Sequence, residues 1–515
     1  MIRPRFAPSA LLLSLLGLTL SAPVAAHGGD DWSQWRGPNR TGAAMLAEGA
    51  ELRTDAPPEG LKPVWTAELD GDLRGGWSSP VVADGRVYLA VAGRVKKEGV
   101  ELPPAQYPPL TEEEEAALPA AEAEEYERNR RAESLERRRT AFTGRESITC
   151  YDAATGETLW TNDRDTPVTR FPQSSTPAAF RLTEIRPPEA AEKLLHLSGD
   201  RVLRLLSATT GETEWEITLP GEFDAEQISS SPLVTPSLNA GGDAYIQAGS
   251  LFCVELRDGS IRWDNQDVTG RDSSPAFAVV GDEAAVIVNS GGETVAVSPR
   301  DGSELFRLEE TGASRSSPIV SGDRLLTYGD SRKGGLRCYD LTPGSPNDGP
   351  PELLWKYQKL SDPGATPVVA GDLVLVPGDR RLDCVSLKDG AGLWTARLDL
   401  AKPRYTSPAA LVTTGANGET GGVGLYTYGR LLAFDLTGEE FRPRFDLSVG
   451  PGAVAKTEDQ WREELNLPVG DAESVARFDK EVTRVGLLPC ASPAIADGRI
   501  YVRLEKHLAC YDLTK

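Results

Sequence analysis

Two methionines and three histidines in 515 residues leave little material for a Met-lined groove or a histidine-based metal centre. Positive charge is also short. Against 77 Asp and Glu stand 55 Lys and Arg, a formal net charge of −22. Such a surface repels phosphate backbones, so nucleic acid is not an expected partner. The chain contains no Gly-x-Ser-x-Gly, no His-Glu-x-x-His, no P-loop and no Cys-x-x-Cys. These absences remove the readily recognised hydrolase, zinc-protease, nucleotide and redox motifs. Long apolar runs are missing too. Only Ala10–Leu20 stands out, and it falls short of the about 20 residues that a membrane span needs. Arg3 and Arg5 precede this run and Val24-Ala25-Ala26 follows it, the pattern of a signal peptide over residues 1–26. The expected product is exported, periplasmic or secreted, with no transmembrane segment in the mature chain.

What the chain does hold is turns and repetition. Gly (51) and Pro (38) are plentiful, while hydrophobic residues at 39% and charged residues at 26% suit a globular all-β protein. A Ser/Thr-Pro-like start recurs with Pro at 80, 177, 232, 275, 318, 367, 408 and 493. Each start leads through a Gly/Asp turn into an alternating strand, then a third strand with a second turn, then a fourth strand ending in an aromatic. Trp160, Trp215, Trp263, Phe306, Trp355 and Trp394 are those aromatics. Gly156, Gly211, Gly259, Gly302, Gly390 and Gly438 fill the second turn. Four antiparallel strands repeated radially make a β-propeller, and eight starts predict eight blades. The last unit stops after its third strand, at Ala509–Leu513. The missing fourth strand stands at the other end, Leu61–Ala67 with Trp65, and is expected to close the ring by pairing the open edge.

The stretch Tyr151-Asp-Ala-Ala-Thr-Gly-Glu-Thr-Leu-Trp160 resembles the repeat of the pyrroloquinoline quinone (PQQ) propellers. That superfamily holds quinoprotein alcohol dehydrogenases and non-enzymatic relatives such as the envelope lipoprotein BamB. The opening Trp32-Ser-Gln-Trp-Arg-Gly-Pro-Asn-Arg-Thr-Gly42 is similar to that of exported PQQ-like proteins of planctomycete bacteria. The resemblance implies an eight-bladed propeller over residues 61–515, with an N-terminal extension at 27–60 and insertions at about 93–146 and 446–489. In the dehydrogenases it would further imply a disulfide between adjacent cysteines under the quinone, calcium ligands and a catalytic Asp. None of these carries over, because no two cysteines are adjacent and no calcium-ligand motif is present. Five cysteines, Cys150, Cys253, Cys338, Cys384 and Cys510, share one third-strand position that Ala296 and Ala433 hold elsewhere, so they read as small packing residues rather than bridges.

The functional expectation is a non-catalytic binding or scaffold module of the cell envelope that needs no cofactor. A PQQ-dependent oxidoreductase with calcium and an atypical site is the alternative. Candidate ligand-binding residues precede the inner strands and face one channel mouth: Trp77, Arg271, Asp272, Arg315, Arg404 and Tyr405. Their arginines present planar forks suited to carboxylates. Ser78, Ser79, Ser273, Ser274, Ser316 and Ser317 either add to that polar funnel or cap strand ends. The expected partner is a protein or small molecule at a propeller mouth, met by a monomer. In the first insertion, Thr111 and Glu114 form a capping box, Pro119 separates two helices, and Glu-before-Arg pairs at i,i+4 predict a solvated helical arm. In the second, Trp461, Leu465, Leu467, Val475 and Phe478 predict short helices packed over the ring.

Overall fold

A computed structural model describes residues 31–46, 51–71, 73, 75–169, 175–182, 191–222, 230–235, 242–313, 315–342, 349–361, 364–398, 406–414, 420–488 and 490–514. The expected signal peptide lies outside this set, as do Arg404 and Tyr405.

Eight antiparallel sheets follow one another as the sequence predicts. The first blade comprises Val81–Ala83, Arg86–Lys96, Phe142–Asp152 and Thr158–Thr166. In the third blade the two middle strands run on as one stretch, Asp243–Glu255, whose first half pairs with the inner strand and second half with the outer. The eighth blade takes Trp65–Glu68 as its fourth strand, paired with His507–Asp512. Closure by the N-terminal strand therefore holds.

Cross-strand pairing explains the cysteines. Cys150 lies opposite Trp160, Cys253 opposite Trp263, Cys338 opposite Trp355, Cys384 opposite Trp394 and Cys510 opposite Trp65. A bulky aromatic on the outer strand leaves room for only a small apolar neighbour between blades, and these thiols are fully buried. The tryptophans also join the blades. Each of six indole N–H groups donates to a backbone carbonyl in the next blade, at 2.7–3.1 Å: Trp65 to Ala153, Trp160 to Ala208, Trp215 to Leu256, Trp263 to Pro299, Trp355 to Leu387 and Trp394 to Thr437.

At the inner edge a second circuit runs round the ring. The backbone N–H of each residue before the signature proline donates to the hydroxyl of its counterpart in the next blade. The order is Ser79 to Thr176, Ser231, Ser274, Ser317, Thr366, Ser407 and Ser492, and Ser492 returns to Ser79. All eight bonds measure 2.8–3.0 Å. Here the strand-end role of Ser79, Ser274 and Ser317 prevails over the ligand role.

The N-terminal segment crosses this channel. Innermost strands have one edge with no neighbour in their own blade, and those edge groups must find partners. Trp32 exchanges both backbone bonds with Val82 of blade one, and Ser33 accepts from Ala179 of blade two. Arg40 donates to the carbonyls of Ser231 and Pro232 in blade three at 3.2 and 2.9 Å. On the far side Arg36 donates to the Pro367 carbonyl, Thr41 accepts from Val369, and Ala43–Met45 lies parallel to the inner strand of blade seven. Both guanidiniums lie over the Trp35 ring, that of Arg36 at 5.5 Å and that of Arg40 at 5.8 Å from its centre. Burial pulls both arginines down to about 9, with Arg40 adding repulsion at Arg36, so both remain cations at neutral pH.

Both insertions are helical. Helix α1, Glu112–Ala117, carries the Thr111/Glu114 capping box, and α2, Ala120–Ala141, starts directly after Pro119. Only Ala141 of α2 is buried, and Glu127 pairs with Arg130 and Arg131. The blade strands run into this insertion, pairing as far as Lys96 with Phe142. Helices α3, Glu458–Glu464, and α4, Ala472–Phe478, hold a small core of Trp461, Leu467, Phe478 and Val482, with Leu465 against it. Val475 departs from the expectation: it is 52% exposed on the outer side of α4.

Candidate functional site

All inner strands run in the same sense through the hydroxyl ring. Side chains before the hydroxyl residue therefore lie on one side of the ring, and the N-terminal plug, bonded from the Ser231 carbonyl onward and mainly two residues beyond the proline, lies on the other. Trp77 is half-buried on the open side, Arg315 and Asp272 are exposed there, and Arg271 is partly buried. Its backbone carbonyl accepts from Ser230, and its charge adds to the burial that lowers the pKa of Arg201.

Beneath the rim runs a belt of side-chain bonds through blades three to five. Ser273 Oγ donates to Gln247 Oε1 at 3.2 Å, Gln247 Nε2 to the Asn289 carbonyl at 2.7 Å, and Asn289 Nδ2 to the Ser316 carbonyl at 2.6 Å. Ser316 Oγ continues to the Tyr328 carbonyl at 2.7 Å. Ser273 and Ser316 thus hold the rim in place, and Ser78 donates to the carbonyl of Ser79.

Sequence reasoning missed a cavity of about 270 Å³ at this same mouth, on blade one where its strands run on toward the insertion. Gly75, Ala92, Arg94, Gly144, Glu146 and Val168 are among its walls. Gly75 bridges Ala92, and the buried Arg503 of blade eight donates to the Gly75 carbonyl at 2.7 Å. Gly144 is required by close approach: a Cβ there would stand 2.6 Å from Thr166 Oγ1 and 2.7 Å from the Pro167 carbonyl.

Next to the cavity, and sharing Glu146 with it, lies a polar layer between blades one and two. Glu146 accepts from Ser198 Oγ at 2.5 Å and from the Gly199 amide at 3.1 Å. Arg164 pairs with Asp200 at 2.6 Å, and Arg204 donates to Asn162 at 2.8 Å. Desolvation raises the Glu146 carboxyl and drives His196 well below the usual imidazole range, helped there by Arg204 and Arg164. Both ring nitrogens of His196 are buried without a hydrogen-bond partner among the described residues. The signal that could have found this layer is the presence of His196 and Arg204 inside otherwise apolar stretches, Leu194–Leu197 and Val202–Leu206.

The comparisons fit the fold just described. A PQQ-repeat family model, described as outer membrane protein assembly factor BamB, matches residues 144–396. These residues carry the PQQ-like propeller repeat. Among solved structures, BamB from Moraxella catarrhalis is 12% identical, covers 71% of this chain and 91% of its own, and gives a TM-score of 0.45. A europium-containing methanol dehydrogenase is 13% identical over 77% of this chain and 89% of its own, at 0.44. The computationally designed Ika8 protein, 13% identical, covers 71% and 90%, at 0.43. These likenesses bear on neither ligand nor activity. No curated protein sequence matches the chain.

A quinone of the dehydrogenase kind does not fit this PQQ-like propeller. The six cysteines are free thiols, and five are spread over the third strands of five separate blades. No pair of them can supply the disulfide on which the quinone would stack. Among the described residues there is also no group of three His, Cys, Asp or Glu placed to hold a metal ion.

Proposed function

We propose that this chain is an exported, non-catalytic PQQ-like propeller that binds a partner or small ligand at its open mouth, as a scaffold or binding module of the cell envelope. The observation that carries the reading is the plug. With residues 32–45 bonded across one side of the hydroxyl ring, approach to the channel is left to the side rimmed by Trp77, Arg271, Asp272 and Arg315. Arg404 and Tyr405, which precede the inner strand of blade seven, belong to the same proposed rim. Rigid rings with loops at a mouth suit recognition, and the arginine forks favour a carboxylate-bearing partner in spite of the net charge of −22. Export is supported by the Arg-flanked apolar run before Ala26.

Calorimetric titration of the purified protein with PQQ, with and without Ca²⁺, tests the non-catalytic half of this reading. No heat at high micromolar quinone is the expected result. Saturable micromolar binding, weakened by Arg315→Ala or Trp77→Ala, would replace it with a quinoprotein whose site lies in the funnel. A photo-crosslinking residue at position 315, in cells that export the protein, tests the other half. A discrete adduct there, missing from the same probe at the outer turn position 85, is the expected outcome.

A further inference from the structure

The cavity on blade one carries a positive charge that its neighbours leave unmatched. Arginines nearby are matched with carboxylates: Arg145 with Asp163 at 2.5 Å, Arg164 with Asp200, and Arg86 with Glu192 at 2.8 Å. Arg94, which lines the cavity, has no carboxylate within ion-pair distance among the described residues and is partly buried. Its charged neighbour is another cation, Arg138 on the last turn of α2, whose Nε donates to the Ser134 carbonyl of its own helix and which has no carboxylate within ion-pair distance among the described residues. Burial first, and then repulsion from Arg138, lowers the pKa of Arg94. Arg94 on this concave, partly desolvated wall, with a second cation close to it, favours an anion there.

The helical arm is what brings them together. Arg139 donates to the Val168 carbonyl on the cavity wall at 3.3 Å, and Lys97 grips the Arg139 carbonyl at 2.9 Å. The base of α2 is thereby fixed against the cavity rather than left to swing. Glu146 does not compete for Arg94, because both its oxygens face blade two, on Ser198 and Gly199.

The remaining walls select the kind of anion. Ala92, Pro167 and Val168 are carbon-rich, and Gly75 and Gly144 bring backbone close to the interior. An inorganic anion would meet Arg94 but leave these walls against water. A volume of 270 Å³ corresponds to about nine water molecules at roughly 30 Å³ each, room for a short carbon skeleton. We propose that this cavity is a binding site for a small organic carboxylate, held by a bidentate contact to Arg94 with Arg138 beside it and its carbon body against Ala92 and Val168. This site is separate from the channel rim, and the proposal does not rest on what the rim binds.

The test is calorimetry of the full chain with gluconate and with hexanoate, six-carbon carboxylates that differ in hydroxylation, and with inorganic phosphate. Saturable binding of at least one carboxylate, tighter than phosphate, is expected. Arg94→Gln should weaken it by about tenfold or more, as loss of a charge-assisted contact does, while Arg94→Lys keeps part of it. Arg138→Gln, on the solvated arm, should weaken it by a smaller factor with an unchanged melting curve, which keeps the test readable if Arg94 variants fold poorly. Three results would overturn the proposal: no saturable binding of either carboxylate, phosphate binding as tightly, or equal affinity in the Arg138→Gln and Arg94→Gln proteins and the parent.

Discussion

The Ser492 backbone N–H donates to Ser79 Oγ at 2.9 Å, joining the last blade to the first across 413 positions of sequence. It is one of eight equivalent bonds, and every hydroxyl in the circuit serves a buried amide of the preceding blade. Ser79→Ala leaves the Ser492 amide without a partner in a site closed to water. A loss of about 1–3 kcal/mol is expected from the orphaned donor, and Ser79→Thr should restore most of it. Urea midpoints of the three proteins measure this directly. Equal midpoints for Ser79→Ala and the parent would mean that water replaces the hydroxyl and that the ring is not a closed circuit.

The turn glycines give a sharper comparison. Gly156 (φ +74°) lies against the face of Trp65 from the blade before it, and a Cβ there would stand 2.5 Å from the indole. Gly85 has nearly the same backbone (φ +70°) with nothing within 4 Å. Gly85→Ala should cost only the left-handed backbone penalty, about 1–2 kcal/mol. Gly156→Ala carries that penalty plus displacement of a ring that is itself hydrogen-bonded to Ala153, so it should lose about 1–3 kcal/mol more. Chemical denaturation of the two variants separates packing from conformation, and equal losses would deny the indole contact.

Much of this architecture is legible in the chain because it repeats. A serine before proline, a small residue opposite an aromatic and a glycine under the next indole each recur at one place in the blade, so eight weak signals add. The closing strand was legible for the same reason, Trp65 being the aromatic missing from the last unit. The plug was not. Trp32, Ser33, Thr41 and Gly42 bond through their backbone to the edges of four blades far away in sequence, and backbone pairing leaves little mark on residue choice. The cavity was hidden differently. Arg94 and Gly144 sit where the blade hairpin runs on into the insertion, and their pairing is not periodic with any other blade. Of the rim residues, Trp77, Arg271, Asp272 and Arg315 share the open side, which follows from the common direction of the inner strands alone.

The plug makes a prediction for exchange kinetics. The amides of Val82, Ala179, Val369 and Ala410 face the channel, and they donate to Trp32, Ser33, Thr41 and Gly42. Removing residues 31–46 should bring all four into rapid hydrogen exchange while strand amides in the blade interiors stay slow. Retained protection at those positions, with the segment gone, would place their bonds elsewhere.

The polar layer between blades one and two fixes the sign of a pH effect. His196 is held neutral in the fold, whereas in the unfolded chain it takes a proton near 6.5. The unfolded state therefore binds more protons as pH falls through that value, and stability drops by up to about 1.4 kcal/mol per pH unit from this group. Glu146 works in the opposite sense. Its folded pKa is raised above 4.5, so the fold gains stability as pH falls from that raised value toward 4.5. His196→Leu should flatten the loss below pH 6.5 and, by removing unsatisfied buried nitrogens, raise stability at neutral pH by about 1 kcal/mol. Glu146→Gln should remove the opposing gain and steepen the loss. Urea denaturation from pH 7 to 5 reads both, and parallel pH profiles for His196→Leu and the parent would contradict a neutral buried imidazole.

Cysteine reactivity tests the inter-blade packing and the quinone argument together. Burial pushes the thiols of Cys150, Cys253, Cys338, Cys384 and Cys510 up to about 12, so thiolate is scarce at pH 8 and the sulfurs are closed to reagent. Cys490 is only half-buried, outside the third-strand pattern. With an aromatic disulfide reagent the native protein should release one equivalent of thiolate, attributable to Cys490, and six after denaturation. Cys490→Ser should abolish the native phase and leave five on unfolding. Four or fewer on complete unfolding of the parent would reveal a disulfide, and with it a chemistry that separate thiols opposite five different aromatics do not permit.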